Sequence, residues 1–155
     1  MIKVNVITNN SKWFNFIKDP DRYLQLKIKK LNTKNKQYKK KKFFCTLLLS
    51  SDDEIKKLNK KFRKKNKITD VLSFPFQNKQ DFKKILKKET EIYLGDVIIN
   101  LNKIKSKKEI KNFKNEFDRL WIHGLVHLFG YDHVKVKDFL AMSRIEKKYF
   151  KLINV

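Results

Sequence analysis

Several residue types are scarce in this chain, and each scarcity narrows what it can be. The single cysteine, Cys45, excludes an internal disulfide and a four-cysteine structural zinc site. No apolar run reaches the roughly 18 residues of a membrane-spanning helix, and Met1 to Asn10 lacks the apolar core of a secretory signal. These absences fit a reducing cytoplasm, with no membrane partner expected. Glycine and proline are also rare, at three and two residues. We find no internal repeat and no second domain, so the expectation is one domain over residues 1–155. Acidic residues are few, 16 against 39 basic, for a formal charge of +23. Of the 39, 35 are lysine. With abundant asparagine, isoleucine and phenylalanine, that is the signature of A- and T-rich codons, which load lysine onto any solvated face. The charge therefore gives only modest support for a polyanionic partner.

Histidine is rare too, and its placement carries information. All three histidines and two of the three glycines fall in the eleven residues His123 to His133. His123 and His127 are four apart, so on a helix they leave one face about a turn apart. Gly130 permits the left-handed conformation that ends a helix, after which the chain can fold back and bring His133 to the other two. Three imidazoles with no fourth protein ligand make a catalytic-type zinc site with an open position. The spacing His127-x-x-Gly130-x-x-His133 is shared with the metzincin proteases, but those enzymes carry a glutamate general base directly after the first histidine. Here that position is Gly124. The ligands point to a metal hydrolase of another kind.

Along the chain, Ile2, Val4 and Val6 alternate with polar residues as in a half-buried strand. Asp19-Pro20 reads as a cap and first residue of a helix running to about Asn32, with a shorter helical turn around Trp13 to Ile17. Asn32 to Lys42 is a lysine-rich connection, and Phe43 to Leu49 is apolar on both faces, as in a central strand. Ser51-Asp52-Asp53-Glu54 is a capping box for a short helix lined by Ile55, Leu58, Asn59 and Phe62. Asp70 to Phe76 is strand-like, with Pro75 placing it at an edge or bulge. Gln77 to Glu91 is a polar excursion with at most a helical turn around Phe82, Ile85 and Leu86, and Tyr93 to Ile99 is a fourth strand. Ser106-Lys107-Lys108-Glu109 reads as a second capping box. It opens a long helix whose core face is Ile110, Phe113, Phe117, Trp121, Gly124 and Leu128. A closing helix holds Phe139, Leu140, Met142, Ile145, Tyr149 and Phe150. The expected fold is α+β: a roughly four-stranded mixed sheet packed with three or four helices. The metal site would sit on the long helix and the turn after it.

The block His-Gly-x-x-His-Leu-x-Gly-Tyr-Asp-His, from His123 to His133, resembles the signature of the YbeY family of bacterial rRNA maturation endoribonucleases. Two further blocks resemble the same family in order and spacing. One is Leu58-Asn59-x-x-Phe62-Arg63 with Thr69 to Phe76, and the other is Leu94 to Ile99. The resemblance runs from about Thr46 to Glu146. It implies a zinc-dependent, single-strand-specific endoribonuclease acting on precursor rRNA, in maturation of the 3′ end of small-subunit 16S rRNA and in ribosome quality control. Its metal ligands fall on His123, His127 and His133, with one Zn2+ per chain. Its essential arginine falls on Arg63, assigned to catalysis and substrate binding, and His123 is also assigned to catalysis. The implied partners are single-stranded RNA and the ribosome or small-subunit assembly proteins, with no DNA. The chain departs from the family after the third histidine, where a typically acidic segment reads Val134-Lys135-Val136-Lys137. Only Asp138, Met142 and Glu146 keep the pattern.

A zinc held by three imidazoles lowers the pKa of its water to about 7, and a planar, permanently charged Arg63 suits two phosphate oxygens. Asp132 has two readings, orienting a ligand imidazole or capping the turn after Gly130. Nothing in the residues alone names the general acid; the resemblance implies Ser73 and Asp96 as candidates, through the blocks that contain them, and each also has a structural reading. Two other classes share part of this pattern: a zincin-like metalloprotease without its glutamate, and a non-catalytic ribosome-assembly factor with a structural zinc.

Overall fold

The chain alternates strands and helices in a way that packs one helix, α4 (Ile110–Leu128), between the sheet and the last helix. The computed structural model describes residues 1–155. Strands β1 (Ile2–Thr8), β2 (Lys42–Ser50), β3 (Val71–Pro75) and β4 (Glu91–Asn100) form one sheet in the order β1-β2-β4-β3. β1, β2 and β4 are parallel, and β3 runs antiparallel along the edge beside β4. The strand β2 lies inside the sheet, as its two-sided apolar run requires. Pro75 closes the edge strand, where its missing N–H leaves no ladder bond unmade.

Helix α1 (Pro20–Lys34) begins as the sequence indicates, with Asp19 accepting the Arg22 N–H at 2.9 Å and Pro20 as first residue. Helix α2 (Asp52–Arg63) carries Asp52, Asp53 and Glu54 in its first turn and Lys60, Lys61 and Arg63 in its last, both matching the helix dipole. Ser51 occupies its cap position, yet its side chain makes no capping bond. Five α-helices form rather than three or four, because the polar excursion is itself helical. Asn78 accepts the Asp81 N–H at 2.9 Å and opens α3 (Lys79–Lys88), whose Phe82 is buried.

The remaining helices are α4 (Ile110–Leu128) and α5 (Val136–Asn154). The second capping box does not form. Helix α4 starts three residues later than expected, and the carboxylate of Glu116 reaches back to the N–H groups of Lys105 and Ser106 at 2.9 and 3.0 Å. Ile110 is therefore a first-turn residue and stays exposed, while Phe113, Phe117, Trp121, Gly124 and Leu128 are buried as their spacing demands. Burial extends further round the helix, to Ile122, Leu125 and Val126, since α4 packs on β3 and β4 and also against α5.

Helix α4 is also held by a buried charge. Asp118 is fully buried and accepts from Trp121 Nε1 at 2.9 Å and Tyr23 Oη at 3.0 Å, with Lys27 Nζ at 2.9 Å. Burial, followed by the nearby Asp118 charge, pushes the Tyr23 hydroxyl far above its usual pKa, so it remains a donor. A buried carboxylate with three partners has its desolvation offset, and removing any one leaves the others costly. The network clamps α1 to α4 near the middle of α4, before the histidines begin. No helix is long and apolar enough to cross a membrane.

Candidate metal centre

Helix α4 ends just where the histidines need it to. The Gly130 N–H donates to the His127 carbonyl at 2.9 Å and the Tyr131 N–H to the Val126 carbonyl at 3.4 Å, with Gly130 at φ 89°. This is the left-handed helix stop that glycine permits. The turn redirects residues 131–135 back across the end of α4, and His133 comes to lie beside His123 and His127. Ring centroids are 4.7 Å apart for His123–His127, 5.0 Å for His127–His133 and 5.8 Å for His123–His133. One nitrogen from each ring can be chosen so that all three lie within 4.8 Å of one another.

Two rings have their other nitrogen engaged. His123 Nδ1 is 2.6 Å from Glu146 Oε1, on α5, and His127 Nδ1 is 2.9 Å from the Tyr131 carbonyl oxygen. A carbonyl can only accept, so His127 carries its proton on Nδ1 and offers Nε2 as a lone pair. A carboxylate on Nδ1 does the same for His123, and such partners orient metal-binding histidines and raise their basicity. Burial, then the neighbouring His123 and His133, hold the pKa of His127 below its usual 6.5, which favours the neutral form that binds cations. The donor set of three nitrogens fits a borderline divalent ion such as zinc.

Arg63, the last residue of α2, reaches the same place from the other side of the edge strand. Its guanidinium donates to the Ser73 carbonyl at 3.1 Å and lies over the Phe74 ring, 5.7 Å from the centroid. Lys64 follows in the left-handed conformation, at φ 56°, and ends the helix there. Arg63, Ser73, His127 and His133 share one cleft of about 440 Å³. Of the four residues singled out from sequence, Arg63, His127 and His133 line this cleft, and His123, 60 positions from Arg63, joins them through the histidine cluster.

The lesser candidates separate. Ser73 lies in the cleft wall, with its hydroxyl 3.3 Å from the Gly124 carbonyl. Asp96 pairs across the ladder with Phe74 and bonds the Tyr93 hydroxyl. It lies on the opposite sheet face from Ser73 and is not part of the cleft. Asp132 accepts the His133 N–H at 2.7 Å, a turn-capping role, and bonds no imidazole. Gly124 faces the sheet, where a Cβ would collide with the Val97 side chain and lie 3.3 Å from Ser73 Oγ. The close approach at this glycine is to the sheet, and there is no room for the glutamate of a zincin. Glu146 is the residue that pattern alone did not place. It stands 23 positions after His123 on another helix, and its retention within an otherwise altered segment was the only signal.

Comparison with known proteins agrees with this geometry. The family model for the endoribonuclease YbeY matches residues 7–154. A protein of Pelagibacter ubique described as endoribonuclease YbeY is 41% identical, the match covering 99% of this chain and 97% of its own. One from Ehrlichia canis with the same description is 30% identical over 100% of this chain and 94% of its own. The solution structure of a Thermotoga maritima protein has the same fold, with a TM-score of 0.54 and 26% identity over 99% of this chain and 89% of that one. This chain belongs to the YbeY family of endoribonucleases, hydrolases that act on RNA.

Proposed function

We propose that the protein, acting as a single domain over residues 1–155, is a zinc-dependent endoribonuclease specific for single-stranded RNA. Its substrate would be precursor rRNA in the cytoplasm, at the 3′ end of 16S rRNA, with a second role in ribosome quality control alongside small-subunit assembly proteins. The observation that carries the reading is the convergence of His123, His127 and His133, two of them with Nδ1 already engaged, beside the cleft that His127 and His133 share with Arg63.

His123, His127 and His133 would hold the ion, one per chain. When bound, a divalent ion supplies Lewis acidity toward a phosphoryl oxygen. The chain's own residues do the rest. Arg63 is anchored through one nitrogen by the Ser73 carbonyl and against Phe74, which leaves its other N–H groups for two nonbridging oxygens of the phosphate. Held in advance, that charge meets the negative charge that builds on the phosphorus oxygens as the bond breaks. Glu146 and the Tyr131 carbonyl fix the two helix-borne rings, so they do not reorient during the reaction. The protein need not supply the carboxylate base of a peptidase, since RNA carries its own 2′-hydroxyl as an available nucleophile.

The test compares labelled single-stranded RNA, the same RNA in a duplex, the all-DNA strand and an unstructured peptide pool, each with the parent and His123→Ala proteins. Cleavage of the single-stranded RNA alone, lost in the variant and on chelation, is expected. Metal-dependent peptide cleavage without RNA cleavage would overturn the proposal.

A further inference from the structure

A second cleft, of about 610 Å³, opens where α4 and α5 meet the start of β3. It touches the histidine cluster from the His123 side, with His123 and Glu146 in its wall, whereas the Arg63 cleft meets the cluster at His127 and His133. Arg119 lies four positions before His123 on α4, so the stripe that carries the histidines continues one turn back, about 5.4 Å, into a permanent cation. Lys147 and Lys151, also one turn apart, enter from α5. None of the three has a carboxylate within ion-pair distance. Of the two acids in the cleft, Glu146 is bonded to His123, and Asp70, at its rim, accepts the Val71 N–H at 2.8 Å and the Thr69 hydroxyl through Oδ1. The guanidinium of Arg119 rests on the Phe150 ring, 4.2 Å from its centroid.

We propose that this cleft is a second RNA subsite, taking the strand on the far side of the histidine cluster from Arg63. It would bind phosphates through Arg119, Lys147 and Lys151 and one base through the exposed face of the Arg119 guanidinium. The proposal rests on the endoribonuclease reading of the histidine cluster. Unpaired cations bind phosphates by releasing counterions, and a guanidinium stacked on an aromatic ring is a flat, restrained platform for a base. Continuity decides in favour of RNA over an acidic protein. The cleft shares His123 and Glu146 with the site that cuts, so a strand seated across the cluster runs into it. A single strand would then be held at the scissile phosphate by Arg63 and beyond the histidine cluster by the Arg119 group.

Fluorescence anisotropy with a labelled single-stranded RNA of about a dozen nucleotides tests this across a salt series. The proteins are the parent, the triple variant Arg119→Ala, Lys147→Ala, Lys151→Ala, and a control with Lys29, Lys30 and Lys36 changed to alanine. The control removes the same charge from exposed positions on and just after α1. The cleft variant should bind at least about tenfold more weakly than the control and lose about 2 units of salt slope, three phosphate contacts at roughly 0.7 each. Equal binding by the two triple variants overturns the subsite, as does an acidic peptide that displaces RNA at equal charge concentration. If binding depends on the cleft but the parent never cleaves the RNA, the subsite stands and the endoribonuclease proposal falls, so the two fail separately.

Discussion

The three histidines look equivalent in sequence and are not equivalent in the fold. His123 and His127 stand on a packed helix, half-buried, each with a hydrogen-bond partner on Nδ1. His133 is exposed on a seven-residue connection between α4 and α5, and only its backbone is held, by Asp132. Two ligands are thus set before any ion arrives, while the third is delivered by a turn. A site built this way has its affinity fixed largely by the rigid pair. The ligand carried by the turn then adds closure.

Substitution breaks that comparison most sharply at the rigid pair. His127→Ala should abolish metal retention and lower RNA cleavage by at least about 10³-fold, because a Lewis acid supplies several kcal/mol of transition-state stabilisation. It should also cost the metal-free fold about 1–2 kcal/mol in lost packing. His133→Ala should impair metal retention too, yet leave the metal-free protein within about 0.5 kcal/mol of the parent, as expected for an exposed side chain. Denaturant melts with and without a chelator separate the two effects.

Arg63 sits outside the histidine trio and should separate charge stabilisation from metal holding. Arg63→Ala should keep the metal and the melting temperature but lose about 10²–10³-fold in cleavage, the usual loss for one preorganised transition-state donor. Arg63→Lys should recover little of it, since an ammonium cannot make the bidentate contact. A smaller effect is expected one step back from the ligands. Glu146→Ala should weaken metal affinity about 10–100-fold, and Glu146→Gln should restore most of it, because an amide oxygen still accepts from His123 Nδ1–H. Competition against a chromophoric chelator measures both.

The smallest effect is on acid stability. The folded state holds His127 below its usual 6.5, so the unfolded chain takes up the proton first as pH falls. The metal-free parent should therefore lose stability as pH drops from 6.5 and level off once the folded-state ring is also protonated. His127→Gln should flatten that slope slightly, since the ring is only half-buried. Melting temperatures in a pH series without metal record it.

The sequence carried the histidine cluster because helical spacing and a glycine stop are local rules, and both held at His123, His127 and Gly130. Strand existence was equally local, as was the helix start at Asp19-Pro20. What escaped was set by distant partners. Helix α3 has only Phe82, Ile85 and Leu86 among its lysines, a stripe of a single turn that understated its length, and the Asn78 cap on Asp81 marks its start. The apparent capping box at Ser106 lost to Glu116, which satisfies the Lys105 and Ser106 N–H groups from within the helix. The pairing of Glu146 with His123 and the meeting of Arg63 with the histidines depend on how α5 and β3 dock on α4, which no spacing along the chain encodes.

In the proposed function, three imidazoles hold one ion on which RNA cleavage depends. Metal-free protein titrated with zinc, with bound metal and single-turnover cleavage of single-stranded RNA read on the same samples, tests it most directly. Cleavage rising in proportion to bound zinc and saturating at one ion per chain is the predicted result. Full cleavage by the metal-free protein, or saturation of His123→Ala at the same stoichiometry as the parent, would contradict it.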